Sequence, residues 1–395
     1  MFHGRGAESG KGGEGSGEGK VRSEEWGVGS GESGDWQEGL MGLCVADRRG
    51  TLLGVMLDLD QNDVYFTAFS LAIGDLRVAR RFPTSNFPLK TRYFNMEHSF
   101  LAYLRGRCRS LPQVAVGIGD DAAVIQPPQA NLIACTDQII DGVDFDSSEH
   151  GYADAGYKAM AINLSDIAAM GAVPKSALVT LALPKPNATR IAGDVYEGIL
   201  QAASEFQVAI AGGDISTYNG PLSVSITLLG DVPAGDPWLR SGAQENDAVL
   251  VTGFVGGSIL GRHLRPTPRV DLANRLRELV DVHAAIDISD GLSLDLDRLC
   301  AASGVGVELN IPAIPIHDDA IMLAEKSGRT PFEHAWSDGE DFELIMTMSQ
   351  ADADKVLAMD HECEITQIGT ILGRTGLWKR EAAKLVRLSP QGYVH

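Results

Sequence analysis

The chain has 395 residues, 44% of them apolar, enough for two domains with ordinary cores. Its 53 acidic side chains outnumber 33 basic ones, for a formal net charge of -20, which argues against nucleic acid and anionic membranes as partners because both attract basic patches. The five cysteines are scattered without CxxC or Cys/His ligand spacing, so neither a disulfide framework nor a zinc site is indicated and a reducing, cytoplasmic setting fits.

No apolar run reaches the roughly 18 residues of a membrane span, and the N-terminus lacks the basic start and apolar core of a signal peptide. Residues 1 to about 42 are crowded with Gly, Ser and Glu and are expected to be disordered, because they cannot bury enough apolar surface to offset chain entropy. "GSGEGKV" only superficially evokes a P-loop: Glu14 stands where the first Gly is needed, and Val21 follows Lys20. Residues 43–95 lack sustained periodicity. Met96 opens "MEHSFLAYLRGR" as a helix start. We expect translation to begin there, residues 1–95 being an extension or a start-site artefact, which an intact-mass measurement on the native protein checks.

From about residue 112 short strands and helices alternate. "QVAVGIGDDAAVI" and "NLIACTDQIIDGVDF" read as strands ending in acidic turns. Asp154 to Met170 reads as a helix, with Asp154 as N-cap and Gly171 as stop. "KSALVTLAL" is a strand, residues 188–206 a helix, and "VAIAGGD" and "LSVSITLLGDV" strands. A second half begins near Pro237. It holds the strand of "NDAVLVTGFVGG", a helix over about 270–281, "AAIDISDGL", a helix over "SLDLDRLCAASG", a strand at "VGVELNI" and finally "SDGEDFELIMTM". The expected organisation is an extension (1–95), an α/β domain (96–236) and an α+β domain (237–395).

The acids in this pattern fall at strand ends and tight turns: Asp120 and Asp121, Asp137, Asp214, Asp287 and Asp290, and Asp338, Glu340 and Asp341. Asp166 joins them from the small, apolar stretch "AINLSDIAAMG". Asp and Gly are turn formers, and a lone buried Asp is accounted for by a helix cap or a core Arg. So many strand-end acids converging on one cleft would instead repel one another unless cations sat between them. Mg²⁺ suits such hard oxygen ligands and also binds substrate phosphates. Kinase HRD/DFG signatures, a G-x-S-x-G elbow and a complete G-x-G-x-x-G are absent, leaving metal-assisted phosphoryl transfer without a P-loop.

"GIGDDAAV", "TDQIIDGVDF", "YKAMAINLSDIAAMGA", "IAGGD", "RSGA", "HLRPTPR", "DISDGL" and "GEDFEL" follow one another in order. From Met96 to the C-terminus this set resembles the thiamine-monophosphate kinase family, of the superfamily that also holds aminoimidazole ribonucleotide synthetase, selenophosphate synthetase and a hydrogenase maturation protein. The resemblance implies α/β plus α+β domains in a two-domain aminoimidazole ribonucleotide synthetase-like fold, whose N-terminal mixed sheet pairs across a homodimer. It implies ATP and several Mg²⁺ ions in the cleft and thiamine monophosphate as acceptor. Metal ligands carried over are Asp121, Cys135, Thr136, Asp137, Asp166, Asp214, Asp287 and Asp290, with Cys135 where the family commonly has Ser. ATP contacts would come from Gly213, Asp214, Arg240, Ser289 and Tyr196, and catalysis would rest on Asp166, Asp214 and Arg240.

The acceptor side departs from the family pattern. Asp144 replaces the His of "GVHF", Pro390 replaces a C-terminal Trp, and "DGED" replaces "GGED" while keeping the substrate-side acid Glu340. Two alternatives stay open at this point: a related ATP-dependent enzyme acting on another phosphorylated acceptor, or a non-catalytic nucleotide-binding protein.

Overall fold

The computed structural model describes residues 40–46, 52–60, 63–72, 75–76, 81–82, 96–108, 111–118, 123–125, 131–233 and 235–393. Two compact units divide the chain, Met1–Thr91 and Arg92–His395. In the first, strands β1 (Leu40–Ala46), β2 (Leu52–Asp60), β3 (Asp63–Ala72), β4 (Asp75–Leu76) and β5 (Arg81–Phe82) form one antiparallel sheet, with β5 paired to β3. These strands fall within the expected extension, over residues 40–82, where the sequence shows no sustained periodicity. "LLGVMLDLD" and "DVYFTAFSLA" are apolar and aromatic runs of strand length, and the register that pairs Asp60 with Asp63 closes a hairpin, a local pairing that needs no helical period. Residues 1–39, also expected to be disordered, lie outside the described residues.

The second unit opens with α1 (Met96–Arg107), at the helix start read from the sequence. A short antiparallel pair follows, β6 (Val114–Val116) with β7 (Val124–Ile125). Then come β8 (Leu132–Ile140), α2 (Tyr152–Ala169), β9 (Val173–Pro184), α3 (Ala188–Glu205), β10 (Ala209–Tyr218) and β11 (Ser223–Asp231). Their sheet has the order β10-β9-β11-β8. It is mixed: α3 carries the chain over so that β9 and β10 run parallel, while the other pairs are antiparallel. In α2, 14 of 18 residues are buried, which marks a helix enclosed on all sides rather than one lying on a surface. Its N-cap is Gly151, not Asp154 as expected; Asp154 lies in the first turn and pairs with Arg265 at 2.6 Å.

The C-terminal half comprises β12 (Ala248–Thr252), α4 (Val270–Leu279), β13 (Val282–Asp287), α5 (Leu292–Ser303), β14 (Gly306–Leu309), α6 (Asp318–Ser327), α7 (Pro331–Ser337), β15 (Leu344–Met348), α8 (Gln350–Leu357), β16 (Ile365–Leu372), β17 (Gly376–Glu381) and β18 (Lys384–Leu388). Its seven strands are ordered β13-β15-β12-β16-β14-β17-β18. One face shares a continuous core with α2 and α3, where Leu164 and Ile167 belong with Leu250, Leu272 and Met346. The other face packs a separate core around Leu296, Leu299 and Trp336. Helix α2 is thus the element common to both halves, and the cleft forms along it. Among the described residues, no helix is long and apolar enough to cross a membrane.

Candidate active site

A cleft of about 1080 Å³ runs along α2, walled by the end of β8, the loop after β13, the loop before β15 and the C-terminal tail. Strand alternation decides what β8 contributes. Ile133, Cys135, Asp137 and Ile139 are covered on the α2 side, whereas Leu132, Ala134, Thr136 and Gln138 are exposed. Asp137 therefore meets Asp166 from α2, and the two carboxyl groups hydrogen-bond to each other. Asp287, at the end of β13 and 3% exposed, completes the group; its Oδ2 accepts the Ser165 hydroxyl at 2.7 Å.

The electrostatics are those of acids held close without enough positive charge. Burial, then the negative charges of Asp287 and Asp137, push Asp166 up to about 8. Burial pushes Asp287 up to about 6, against the hydrogen bond from Ser165. Burial also raises Asp137 above the usual carboxylate range. Arg240, exposed and not among the residues lining the cleft, lowers both Asp166 and Asp287 through its positive charge.

A second set of acids closes the other end. Three carboxylates of the "GEDFE" segment each have their own cation. Lys158 Nζ donates to Glu340 Oε1 at 2.5 Å, Arg262 Nη2 to Asp341 Oδ1 at 3.1 Å, and Arg269 Nη2 to Glu343 Oε1 at 2.5 Å. Asp341 also accepts the Gly256 N–H, and Glu343 the Thr252 hydroxyl at 2.6 Å. The segment is fixed to the loop after β13 as well, since the Glu340 and Phe342 N–H groups donate to Ser289 O and Ile288 O. Gly339 is needed for this approach: a Cβ there would stand 2.5 Å from Ser289 O. Lys158, Arg262 and Arg269 were not singled out from the sequence. Their partners lie 74 to 182 residues away, and only the "HLRPTPR" and "GEDFEL" strings hinted that the two segments belong together.

The other expected site residues divide. Asp144, Ser289, Asp290 and Glu340 line the cleft with Asp137, Asp166 and Asp287. Asp144 Oδ2 accepts the Ile140 N–H at 2.7 Å, so that carboxylate is engaged in its own turn. Asp290 pairs with Arg298. Cys135 lies beside the cluster with its thiol donating to Asn163 O at 3.5 Å, and burial raises it. Thr136 points to the opposite face, where its hydroxyl donates to Ile226 O at 3.1 Å. Asp121 lies outside the described residues.

Asp214 and Gly213 sit on the far edge strand, β10. Asp214 is in register with Thr180, Thr180 with Ser225, and Ser225 with Gln138, so three strand spacings, about 14 Å, separate it from β8. Gly213, at φ +156°, has a packing reason of its own, since a Cβ would fall 1.8 Å from Val179 O. Tyr196 lies away from the cleft, 2% exposed and edge-on to Phe100 at 5.3 Å, because α3 turns it into the core. Pro390 is exposed and does not line the cleft; the tail residues beyond it, Gln391, Gly392 and Tyr393, do.

The donor chemistry fits Mg²⁺. Among the described residues, no three His, Cys, Asp or Glu side chains form a ready-made metal cage. Mg²⁺ needs none: it commonly takes one or two carboxylates and completes its shell with water and substrate phosphate. Asp137, Asp166 and Asp287 offer hard oxygens, and their raised proton affinities are those of acids short of a cation.

Comparison with known proteins gives the same outline. The family model described as "AIR synthase related protein, N-terminal domain" matches residues 119–232, and the corresponding C-terminal domain matches 238–377. A thiamine-monophosphate kinase of Rhodopirellula baltica is 64% identical over 309 residues, covering 76% of this chain and 97% of that protein. The crystal structure of thiamine-monophosphate kinase from Stenotrophomonas maltophilia superposes with a TM-score of 0.61 at 32% identity, over 70% of this chain and 94% of that one. The structure described as AaThiL complexed with AMPPCP and TMP gives 0.59 at 28% identity, over 76% and 95%.

Proposed function

The chain belongs to the thiamine-monophosphate kinase family, and on that premise we propose that it transfers the γ-phosphoryl group of ATP to thiamine monophosphate, yielding thiamine diphosphate and ADP. The observation that carries this reading is the pairing of a carboxylate cluster, Asp137, Asp166 and Asp287, with an acceptor end built on Glu340, inside one cleft. A phosphate oxygen of the acceptor attacks the γ-phosphorus, that P–O bond forms, and the bond to the β,γ-bridging oxygen breaks. The attacking phosphate is already ionised near neutral pH, so no strong general base is required, in keeping with catalysis by positioning and charge neutralisation.

Asp137, Asp166 and Asp287 would hold Mg²⁺, which would supply the positive charge that nucleotide phosphates need beside these acids. Arg240, whose charge acts on Asp166 and Asp287, would add a cation at the phosphate end. Ser289 and Asp290 form the turn beside it; their N–H groups donate to Asp295 Oδ2 at 3.1 and 2.9 Å, which holds the turn still.

A homodimer belongs to this proposal. The outer face of the β10-β9-β11-β8 sheet leaves Leu132 56%, Leu178 37% and Tyr218 39% exposed, beside small residues. A second copy laid on that face would cover it. It would also give Asp214 a role, in the cluster of the partner copy rather than its own.

The test is to incubate the full chain with ATP and Mg²⁺, with and without thiamine monophosphate, and to follow ADP and thiamine diphosphate. ADP release that depends on the acceptor and equals thiamine diphosphate formed supports the proposal. ADP release indifferent to the acceptor, without thiamine diphosphate, contradicts it.

A further inference from the structure

Lys158 is 1% exposed, and a lysine is almost never that deeply buried unless its charge is matched. Its ammonium has two partners in the structure, Glu340 Oε1 at 2.5 Å and the backbone oxygen of Asp144 at 2.7 Å. The first belongs to the C-terminal half and the second to the loop after β8, so one side chain ties three walls of the cleft together.

Its place along α2 shows what it does not do. Lys158, Ile162 and Asp166 are spaced four apart and all line the cleft, on one helix face. Eight residues of helix separate Lys158 from Asp166, about 12 Å, and helical side chains lean toward the N-terminus, which takes the ammonium farther away still. A phosphoryl group held at Asp166 is out of its reach. That separation suits an extended acceptor, with its phosphate at one end and its heterocycle at the other.

Glu340 is the group Lys158 governs. Its backbone stands at φ +61°, an unusual conformation for a residue other than glycine, and is locked there by the 2.7 Å hydrogen bond from its N–H to Ser289 O. Lys158 occupies Oε1, and among the described residues Oε2 has no protein partner. Burial, with the nearby charges of Asp144 and Asp290, favours the protonated acid, and the ammonium opposes this.

We propose that Lys158 is a positioning residue for the acceptor: it holds Glu340 in one orientation, so that Oε2 accepts a hydrogen bond from an amino group at the acceptor's heterocyclic end. This rests on the reaction proposed above. An aminopyrimidine has that donor, whereas a thiazolium ring carries positive charge but no N–H, and an acceptor without an N–H at that end gains nothing from the contact.

The experiment compares the full-length wild type with Lys158→Met, Glu340→Gln and the double variant. It measures kcat, KM for each substrate, and equilibrium binding of thiamine monophosphate and of a non-hydrolysable ATP analogue. Each single variant is expected to raise KM and Kd for thiamine monophosphate tenfold or more, with the ATP-analogue Kd within twofold of wild type. The double variant should bind no more weakly than the weaker single one, because both changes remove the same contact. A purely structural lysine would weaken both ligands, with effects that multiply in the double variant, and either result overturns the proposal. If Lys158→Met does not fold, Glu340→Gln alone decides, and an unchanged Kd for thiamine monophosphate overturns it. A wild type that forms thiamine diphosphate beside an unaffected Lys158→Met variant sinks this inference alone; a wild type that does not bind thiamine monophosphate sinks the reaction as well.

Discussion

Asp214 and Asp137 stand at opposite edges of one four-stranded sheet, on β10 and β8, with two strands between them. If both serve one phosphate site, that site takes them from two copies of the chain. Mixing the inactive variants Asp166→Asn and Asp214→Asn under conditions that exchange subunits should then restore about one quarter of wild-type activity. Half of the random pairs are mixed dimers, and each holds one intact site of two. If Asp214 acts within its own chain, no mixture regains activity.

Asp166→Asn alone should lower turnover by roughly 10²-fold or more, the scale seen when one preorganised electrostatic group is removed. The metal-free fold should not suffer, because the change relieves repulsion with Asp137 and Asp287. A melting temperature equal to or above that of wild type, measured in chelator, is expected; near-normal turnover would contradict the cluster's role.

The raised acids also predict how stability varies with pH. Asp166 at about 8 and Asp341 at about 7 keep protons in the native state that an unfolded chain, with carboxylates near 4, has lost. Their stabilising protonation is complete below the unfolded value and is lost as pH rises through the folded one. Below pH 6.5 the buried His263, lowered by burial to about 4, acts in the opposite sense, since the unfolded imidazole gains a proton there. The clean window is therefore pH 6.5 to 8, where metal-free stability should fall with rising pH, Asp166 contributing at most about 2 kcal/mol. Urea unfolding across that window checks the sign. Asp166→Asn or added Mg²⁺ should flatten the slope, and stability that rises with pH contradicts the account.

The Arg269–Glu343 pair should matter more than its exposed counterparts. Both side chains are largely buried, at 12% and 7% exposure, and joined by two hydrogen bonds. Removing one partner leaves an uncompensated buried charge, so Arg269→Met should cost about 3 kcal/mol in chemical denaturation. The two-bond pair Arg380–Glu308 has the same geometry with an exposed arginine, and Arg380→Met should leave the melting temperature almost unchanged. Equal losses from the two would mean that burial is not what makes the first pair important.

Much of this was legible in the chain because the signals are local. The acids at strand ends and tight turns, joined by Asp166, were read as one converging set that includes Asp137, Asp166 and Asp287, and the family resemblance assigned these three to the metal. What was hidden depends on distant partners. Lys158 reads as an ordinary polar position in a helix until Glu340 arrives 182 residues later. Thr136 shares a motif with Asp137, yet the two-residue period of the strand sends it to the opposite face. Tyr196 fits a nucleotide contact by sequence position, but the packing of α3 buries it against Phe100. Helices α6, α7 and α8 and strands β16 to β18 were not read at all, being short elements whose apolar faces are defined only by the sheet they cover.

The central claim is direct transfer from ATP to thiamine monophosphate in this cleft. The most direct measurement is a single-turnover reaction of the full chain with γ-³²P-labelled ATP, Mg²⁺ and thiamine monophosphate, quenched in acid. The account predicts label in the terminal phosphate of thiamine diphosphate, appearing with ADP and without a labelled protein intermediate. Label found only in inorganic phosphate, or retained on the protein, would contradict it.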